Sequence, residues 1–200
     1  MGGKWSMRAL ALVIALATSL FSSENFILLN EGILPKKTVD KINEIGNELF
    51  QKTGVHAYVA VVQRMDTKRI VDFEKNLSAK LPRPFVLLTL AVKDHKVDIL
   101  SSPDVSKRFD KEEILSPLPW KGTIIPLLTS HSKNPQAAIE AAILNGYAQI
   151  AEEIAQSYGK RLQSGLGNTN RNIYYWLRIL FYSILALIFL NFIYRRVLKK

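Results

Sequence analysis

Residues Ile173–Tyr194 (IYYWLRILFYSILALIFLNFIY) constrain this chain more than any other stretch. About 20 mostly apolar residues let a helix cross a hydrocarbon core of about 30 Å, and a buried core helix of that length is unusual. Tyr174, Tyr175, Trp176 and Tyr194 flank the run as an interfacial aromatic belt would. Arg178 lies near its first edge, where a long side chain can snorkel to the headgroups. The stretch predicts one transmembrane helix, which makes a lipid bilayer the first expected partner.

The opposite end fits an exported protein. Lys4 and Arg8 precede Ala9–Phe21, an apolar run too short to span comfortably but of the length of a signal-peptide core. Ala17-Thr18-Ser19 supplies a small-x-small cleavage site; the alternative is an uncleaved anchor reaching Ser23. Residues 1–23 are therefore read as a signal peptide or N-terminal anchor. Arg195, Arg196, Lys199 and Lys200 follow the C-terminal run and place a basic tail, residues 195–200, in the cytoplasm. Arg161, Arg171 and Arg178 oppose that bias weakly, and the export signal breaks the tie. The expected location is the inner (cell) membrane, with the soluble domain on its extracytoplasmic side.

The net charge of +10 would by itself suggest nucleic acid. Its distribution says otherwise. Residues 26–160 carry 18 Lys and Arg against 16 Asp and Glu, so most of the excess sits at the termini and beside the apolar runs. That is a topology signal, and nucleic acid is not an expected partner. The chain has no cysteine, which excludes disulfides, thiolate-bound zinc and thiol catalysis.

Between the apolar ends, the domain at residues 27–159 reads as alternating helix and strand. Pro35 takes a first-turn position in a helix whose stripe is Val39, Ile42, Ile45 and Leu49, and Gly54 stops it. Val55–Gln63 lacks clear alternation, as for a strand covered on both faces. Asp66 caps a second helix, Thr67–Lys80, with Ile70, Phe73 and Leu77 facing inward. Phe85–Val92 is a second strand, which Lys93–Lys96 turns into an antiparallel partner, Val97–Ser101. A short helix near Asp110–Leu115 and a packed loop over Ser116–Asn134 follow. Asn134-Pro135 starts a long helix through Ile139, Ile143, Tyr147, Ile150 and Ile154 to Gly159. Residues 160–172 form a polar tether. The fold class is α/β: a small mixed sheet sandwiched by helices, with one C-terminal transmembrane helix at 173–194.

Leu34-Pro35, the helix after it, and Thr53-Gly54 leading into Val55–Val62 together resemble the opening of the TPM domain, a family named partly for a thylakoid-lumen phosphatase. The resemblance spans roughly residues 27–158. It implies this fold and a role in assembling, maintaining or regulating membrane complexes. Members carry an Asp-Asn-Gly-like turn before the second strand, suited to a divalent cation or phosphatase chemistry. Here that position reads Lys80-Leu81-Pro82-Arg83-Pro84, with neither acid nor glycine.

Candidate chemistry rests on four carboxylates. Asp94 and Asp98, with Asp104 and Asp110 joining them around a cleft, could supply oxygen ligands to a divalent cation, Ca²⁺ or Mg²⁺; no other cofactor is expected. Three of the four also have a local reading, Asp94 as a turn residue and Asp104 and Asp110 as helix caps. His56 is expected at a solvent-facing strand edge, and His131 in a polar connection. Trp120, in a proline-braced segment with Ile124 and Ile125, would form an apolar partner-binding patch if exposed, or a lid on the core if not. Two functions follow. The first is a membrane-anchored extracytoplasmic interaction module with a membrane-protein partner, assisting assembly or maintenance of a complex. The second is a membrane-tethered, metal-dependent phosphatase or other hydrolase.

Overall fold

A computed structural model describes residues 24–130, 132–166, 179–187 and 189. The expected leader (1–23), the tail (195–200), His131 and most of the apolar run 173–194 lie outside the described residues. The chain divides after Gly165 into two compact units.

The first unit is a four-stranded mixed sheet in the order β1-β2-β3-β4. Its strands are β1 (Ile27–Asn30), β2 (His56–Val62), β3 (Phe85–Ala91) and β4 (Lys96–Ser101). The first three run parallel and β4 runs antiparallel to β3. Every residue of β2 and β3 is buried, as the unbroken apolar runs predict. β1 is the strand that sequence reasoning missed. Its four half-buried residues show no alternation, and a bulge shifts its register on β2. Only the pairing to β2 identifies it.

The helices on the first sheet face are α1 (Lys36–Thr53) and α5 (Pro135–Ser157). Pro35 stands just before α1, with extended backbone, rather than within its first turn. Gly54 closes the helix in the left-handed region (φ 73°), and its N–H donates to Phe50 O (2.7 Å). Asn134 caps α5 by accepting from the Ala137 N–H (3.2 Å), ahead of Pro135. Ile42, Ile45 and Leu49 of α1 meet Ile143, Tyr147, Ile150 and Ile154 of α5 over Ala57, Val59, Val61, Val86, Leu88 and Leu90. The Tyr147 hydroxyl donates to Ala57 O (2.8 Å), tying α5 to β2. Gly46 makes this approach feasible: a Cβ there would run into the Tyr147 hydroxyl and the Phe26 ring. The second face carries α2 (Ile70–Ser78), packed on β3 and β4. It begins later than the sequence predicts, with Arg69 rather than Asp66 at its cap. Two short helices, α3 (Lys111–Ile114) and α4 (Ile125–Leu128), complete the unit.

The start of the expected tether is held to the domain. Glu48 of α1 accepts from the Gln163 N–H (2.7 Å), the Ser164 N–H (2.7 Å) and the Ser164 hydroxyl. Lys52 bridges to Glu48 (2.5 Å) and donates to Arg161 O (2.7 Å). Burial acts to raise the Glu48 carboxyl, but the Gln163 amide, Lys52 and Ser164 together hold it down at about 2.

In the second unit, residues 179–187 are helical and every one of them is exposed. Among the described residues, no helix is long and apolar enough to cross a membrane.

Because Glu48 is held below its ordinary value when folded, its contribution is complete above the carboxylate range and disappears as pH falls from about 4.5 to about 2. Glu48→Gln is therefore expected to destabilise the domain by about 2–3 kcal/mol at pH 7 and by much less near pH 2. Denaturant unfolding of both proteins at pH 7 and pH 2.5 measures this; a penalty that does not change with pH would refute it.

Candidate functional site

Alternation along β3 and β4 sends Thr89 and Asp98 to the second sheet face, where they are direct register partners. α2 lies over this face with Phe73 buried against Val62 and Ala91 and Leu77 packed beside them. Glu74 follows Phe73 on the same stripe and is fully buried, with 0% exposure. The Glu74 carboxyl interacts with the fully buried Thr89 hydroxyl and with Asp98, although none of these contacts reaches good hydrogen-bond geometry. Asp98 pairs with Lys111 of α3 (2.5 Å) and accepts from the Ile99 N–H (2.8 Å).

A buried ionised carboxylate without partners is costly, so such a group takes up a proton or a counter-charge. Burial, followed by the negative charge of Asp98, pushes the Glu74 carboxyl up to about 7; Thr89 and Lys111 pull it down without cancelling that rise. Lys111 forms part of the wall of an open depression of about 650 Å³ along Ser106–Glu112. Its side chain, 44% exposed, stands between solvent and Asp98.

The four carboxylates singled out from the sequence have separate surroundings. Asp94, in the β3–β4 turn, accepts from the Met65 N–H (2.8 Å). Asp104 is exposed, and its backbone carbonyl accepts from Arg108 Nε (3.2 Å). Asp110 caps α3 by accepting from the Glu113 N–H (2.8 Å). Of the four, Asp98 is the one whose charge raises the buried Glu74 carboxyl. Among the described residues, no group of three or more acidic, His or Cys side chains could hold a metal ion. Glu74 was missed, although the stripe Ile70, Phe73, Leu77 places position 74 on the same buried face.

His56 also departs from expectation. It is buried on the second face, its ring 4.4 Å from Phe50 and stacked on Tyr58 at 5.8 Å, with Glu24 at 3.1 Å. Phe26 and Phe50 cover what would otherwise be an exposed strand start. Burial, then the charge of Glu24, raises the Tyr58 hydroxyl above its usual value.

The expected partner-binding residues divide. Trp120 is 70% exposed and Leu118 is 42% exposed. They sit on a turn closed by the Lys121 and Gly122 N–H groups donating to Leu118 O (2.9 and 2.8 Å). A Cβ at Gly122 would run into Ser116 O, so this turn has a tight backbone approach. Ile124 is a correction: it is fully buried in the space that Gly146 leaves open on α5, and cannot meet a partner. Ile125 is half-buried at the start of α4.

The model of the family described as the TPM domain matches residues 28–153. No individual curated protein matches the chain.

Since Glu74 is raised when folded, its neutral form stabilises the domain below the ordinary carboxylate range, and this contribution is lost as pH rises from about 4.5 through 7. The expected loss is about 2.5 kcal/mol between pH 5 and pH 8. Glu74→Gln, which keeps the shape of the neutral acid, should flatten that slope. Unfolding free energies across this range test it, and parallel pH profiles for the two proteins would refute the assignment.

Proposed function

From the premise that the chain belongs to the TPM domain family, we propose that it is a membrane-anchored extracytoplasmic interaction module that helps assemble or maintain a membrane protein complex. The C-terminal apolar run, 173–194, is its anchor. The observation that carries this reading is the helix at residues 179–187, in which Ile179, Leu180, Phe181, Ile184, Leu185 and Leu187 are all exposed. An apolar helical surface of that kind calls for an apolar environment. A bilayer supplies it, and the sequence around it has the length and aromatic flanks of a span. The basic tail places the C-terminus in the cytoplasm of the inner (cell) membrane, and the leader-like N-terminal segment supports an exported domain.

The interaction surface in this reading is the rigid turn that presents Leu118 and Trp120. Exposed tryptophan on a constrained turn loses little conformational freedom on binding, and such residues dominate protein interfaces. The hydrolase alternative lacks a comparable observation, because Asp94 and Asp110 are engaged with backbone amides and Asp98 with Lys111.

The full chain is expected to stay with membranes through a carbonate wash, with its domain accessible to protease only from the extracytoplasmic side. A chain ending at Leu166 keeps the contacts of Glu48 and should be released in soluble form. In-cell crosslinking of the full chain should recover a membrane-protein partner, and Trp120→Ala should reduce that recovery at unchanged protein level. Carbonate extraction of the full chain, or protease access from the cytoplasmic side, would overturn the anchoring and topology; recovery unaffected by Trp120→Ala would overturn the assigned surface.

A further inference from the structure

The chain enters and leaves the domain at one pole. Parallel pairing of β2 with β3 puts their starts, His56 and Phe85, at the same edge of the sheet, and Ser101, the end of β4, lies there too. α1 ends at this edge as well, since Gly54 leads directly into β2. Here consecutive residues of α1 hold both ends of the domain. Asn47 accepts from the Glu24 N–H (3.1 Å) and donates to Glu24 O (3.3 Å). Glu48 accepts from the Gln163 and Ser164 N–H groups (2.7 Å each). The leader-like segment before residue 24 and the apolar run after residue 172 are therefore both joined to the domain at this pole.

The same pole is basic. Lys80 and Arg83 lie on the link between α2 and β3, Lys107 on the loop after β4, and Lys160 and Arg161 just beyond α5; all five are exposed. Ser102 fixes that loop to the sheet edge, its hydroxyl accepting from the Phe85 N–H (3.1 Å), and Arg108 lies over the Tyr158 ring (3.9 Å) at the end of α5. None of the five exposed cations forms an ion pair among the described residues. The acids nearby are fewer: Glu24 faces His56, Glu48 is paired with Lys52, and Asp104 is exposed. Charge alone does not choose this pole, because Lys37 and Lys133 stand at the opposite one, where α1 and α5 begin. The reach of the chain does choose it. α1 has 18 residues and is about 27 Å long. Residues 165–172, even fully extended, span at most about 30 Å. A tether that first ran back along α1 would have almost nothing left with which to bring the far pole to a bilayer.

We propose that this pole, through Lys80, Arg83, Lys107, Lys160 and Arg161, docks on the anionic headgroups of a lipid bilayer. The proposal rests on the anchoring reading above. Basic side chains held beside an anionic leaflet are attracted to it within about a Debye length, about 8 Å at physiological ionic strength. Docking gives the domain one orientation on the membrane, where a tether alone would permit many.

The test uses the full chain reconstituted in phosphatidylcholine vesicles, either pure or with about one-third phosphatidylglycerol. Because the chain has no cysteine, Ser106→Cys and Lys37→Cys each supply a single position for a fluorophore, the first at the near pole and the second at the far one. Quenching of the Ser106→Cys label by a nitroxide-headgroup lipid is expected to be about twofold stronger in anionic vesicles than in neutral ones. That gain should vanish in about 0.5 M NaCl, and the Lys37→Cys label should stay weakly quenched in both vesicles. Lys80→Gln, Arg83→Gln and Lys107→Gln together should remove the dependence on anionic lipid. A chain that fails to float with either kind of vesicle after a carbonate wash overturns the anchoring, and the docking with it. An inserted chain whose Ser106→Cys quenching is the same with and without anionic lipid overturns the docking alone. So does equal quenching at the two labelled positions.

Discussion

β2 and β3 are buried on both faces along their whole length, and the placement of the other elements follows from covering them. A pair of parallel strands cannot be joined by a tight turn, so the connection between them must cross a face, and α2 is that crossover. The first face needs more cover than one helix supplies, so α1 and α5 pack there side by side. Their closeness depends on small residues: Gly46 admits Phe26 and the Tyr147 hydroxyl, and Gly146 admits Ile124. The second face receives a single short helix together with Phe26, Phe50 and Leu81. This thinly covered face buries three polar side chains, His56 at one end and Glu74 with Thr89 nearer the other.

Features set by local chemistry were legible in the sequence. Gly54 ends α1 because a left-handed residue is needed there, and Asn134-Pro135 starts α5 as a cap followed by a pre-set first turn. The hairpin between β3 and β4 and the Asp110 cap of α3 were readable for the same reason. What escaped depends on distant contacts. β1 exists because its backbone pairs with β2, and nothing in Ile27–Asn30 alone marks a strand. α2 starts late because the segment before it is drawn to the hairpin turn. Asp94 accepts from the Met65 N–H, and Lys96 donates to Lys68 O (2.7 Å). Those contacts hold the backbone away from the helix that Asp66 would otherwise begin. In the candidate site, Asp98 was legible as a carboxylate but its companion was not, because an acid on a helix stripe is ordinarily solvated.

The two perturbed glutamates show how environment divides one chemical group into two behaviours. Glu48 and Glu74 both lose water. Glu48 gains two backbone amides, a hydroxyl and an ammonium, and stays ionised well into acid. Glu74 gains little beyond the Thr89 hydroxyl and faces the like charge of Asp98, so it keeps its proton to about neutrality. Desolvation alone would push both upward; the difference lies in whether donors replace the lost water. Glu48 therefore works as a structural fastener at neutral pH, while Glu74 is held in its neutral form until the pH approaches 7.

The Glu48 fastener also bears on how far the domain could stand from a bilayer. With Gln163 and Ser164 held on α1, the stretch left before the apolar run is residues 165–172, not the whole of 160–172. A fully extended stretch of that length spans at most about 30 Å. If the apolar run is membrane-embedded, the domain is confined to a shallow layer above the headgroups, and its partners are confined with it. Confinement raises the effective concentration of anything sharing that layer, so a weak surface is sufficient for a stable encounter. A turn carrying one exposed tryptophan and one leucine would be inadequate as the sole contact between two freely diffusing proteins. If the proposed anchor holds the domain in such a layer, the same turn needs only to select its partner, since the anchor would supply most of the proximity.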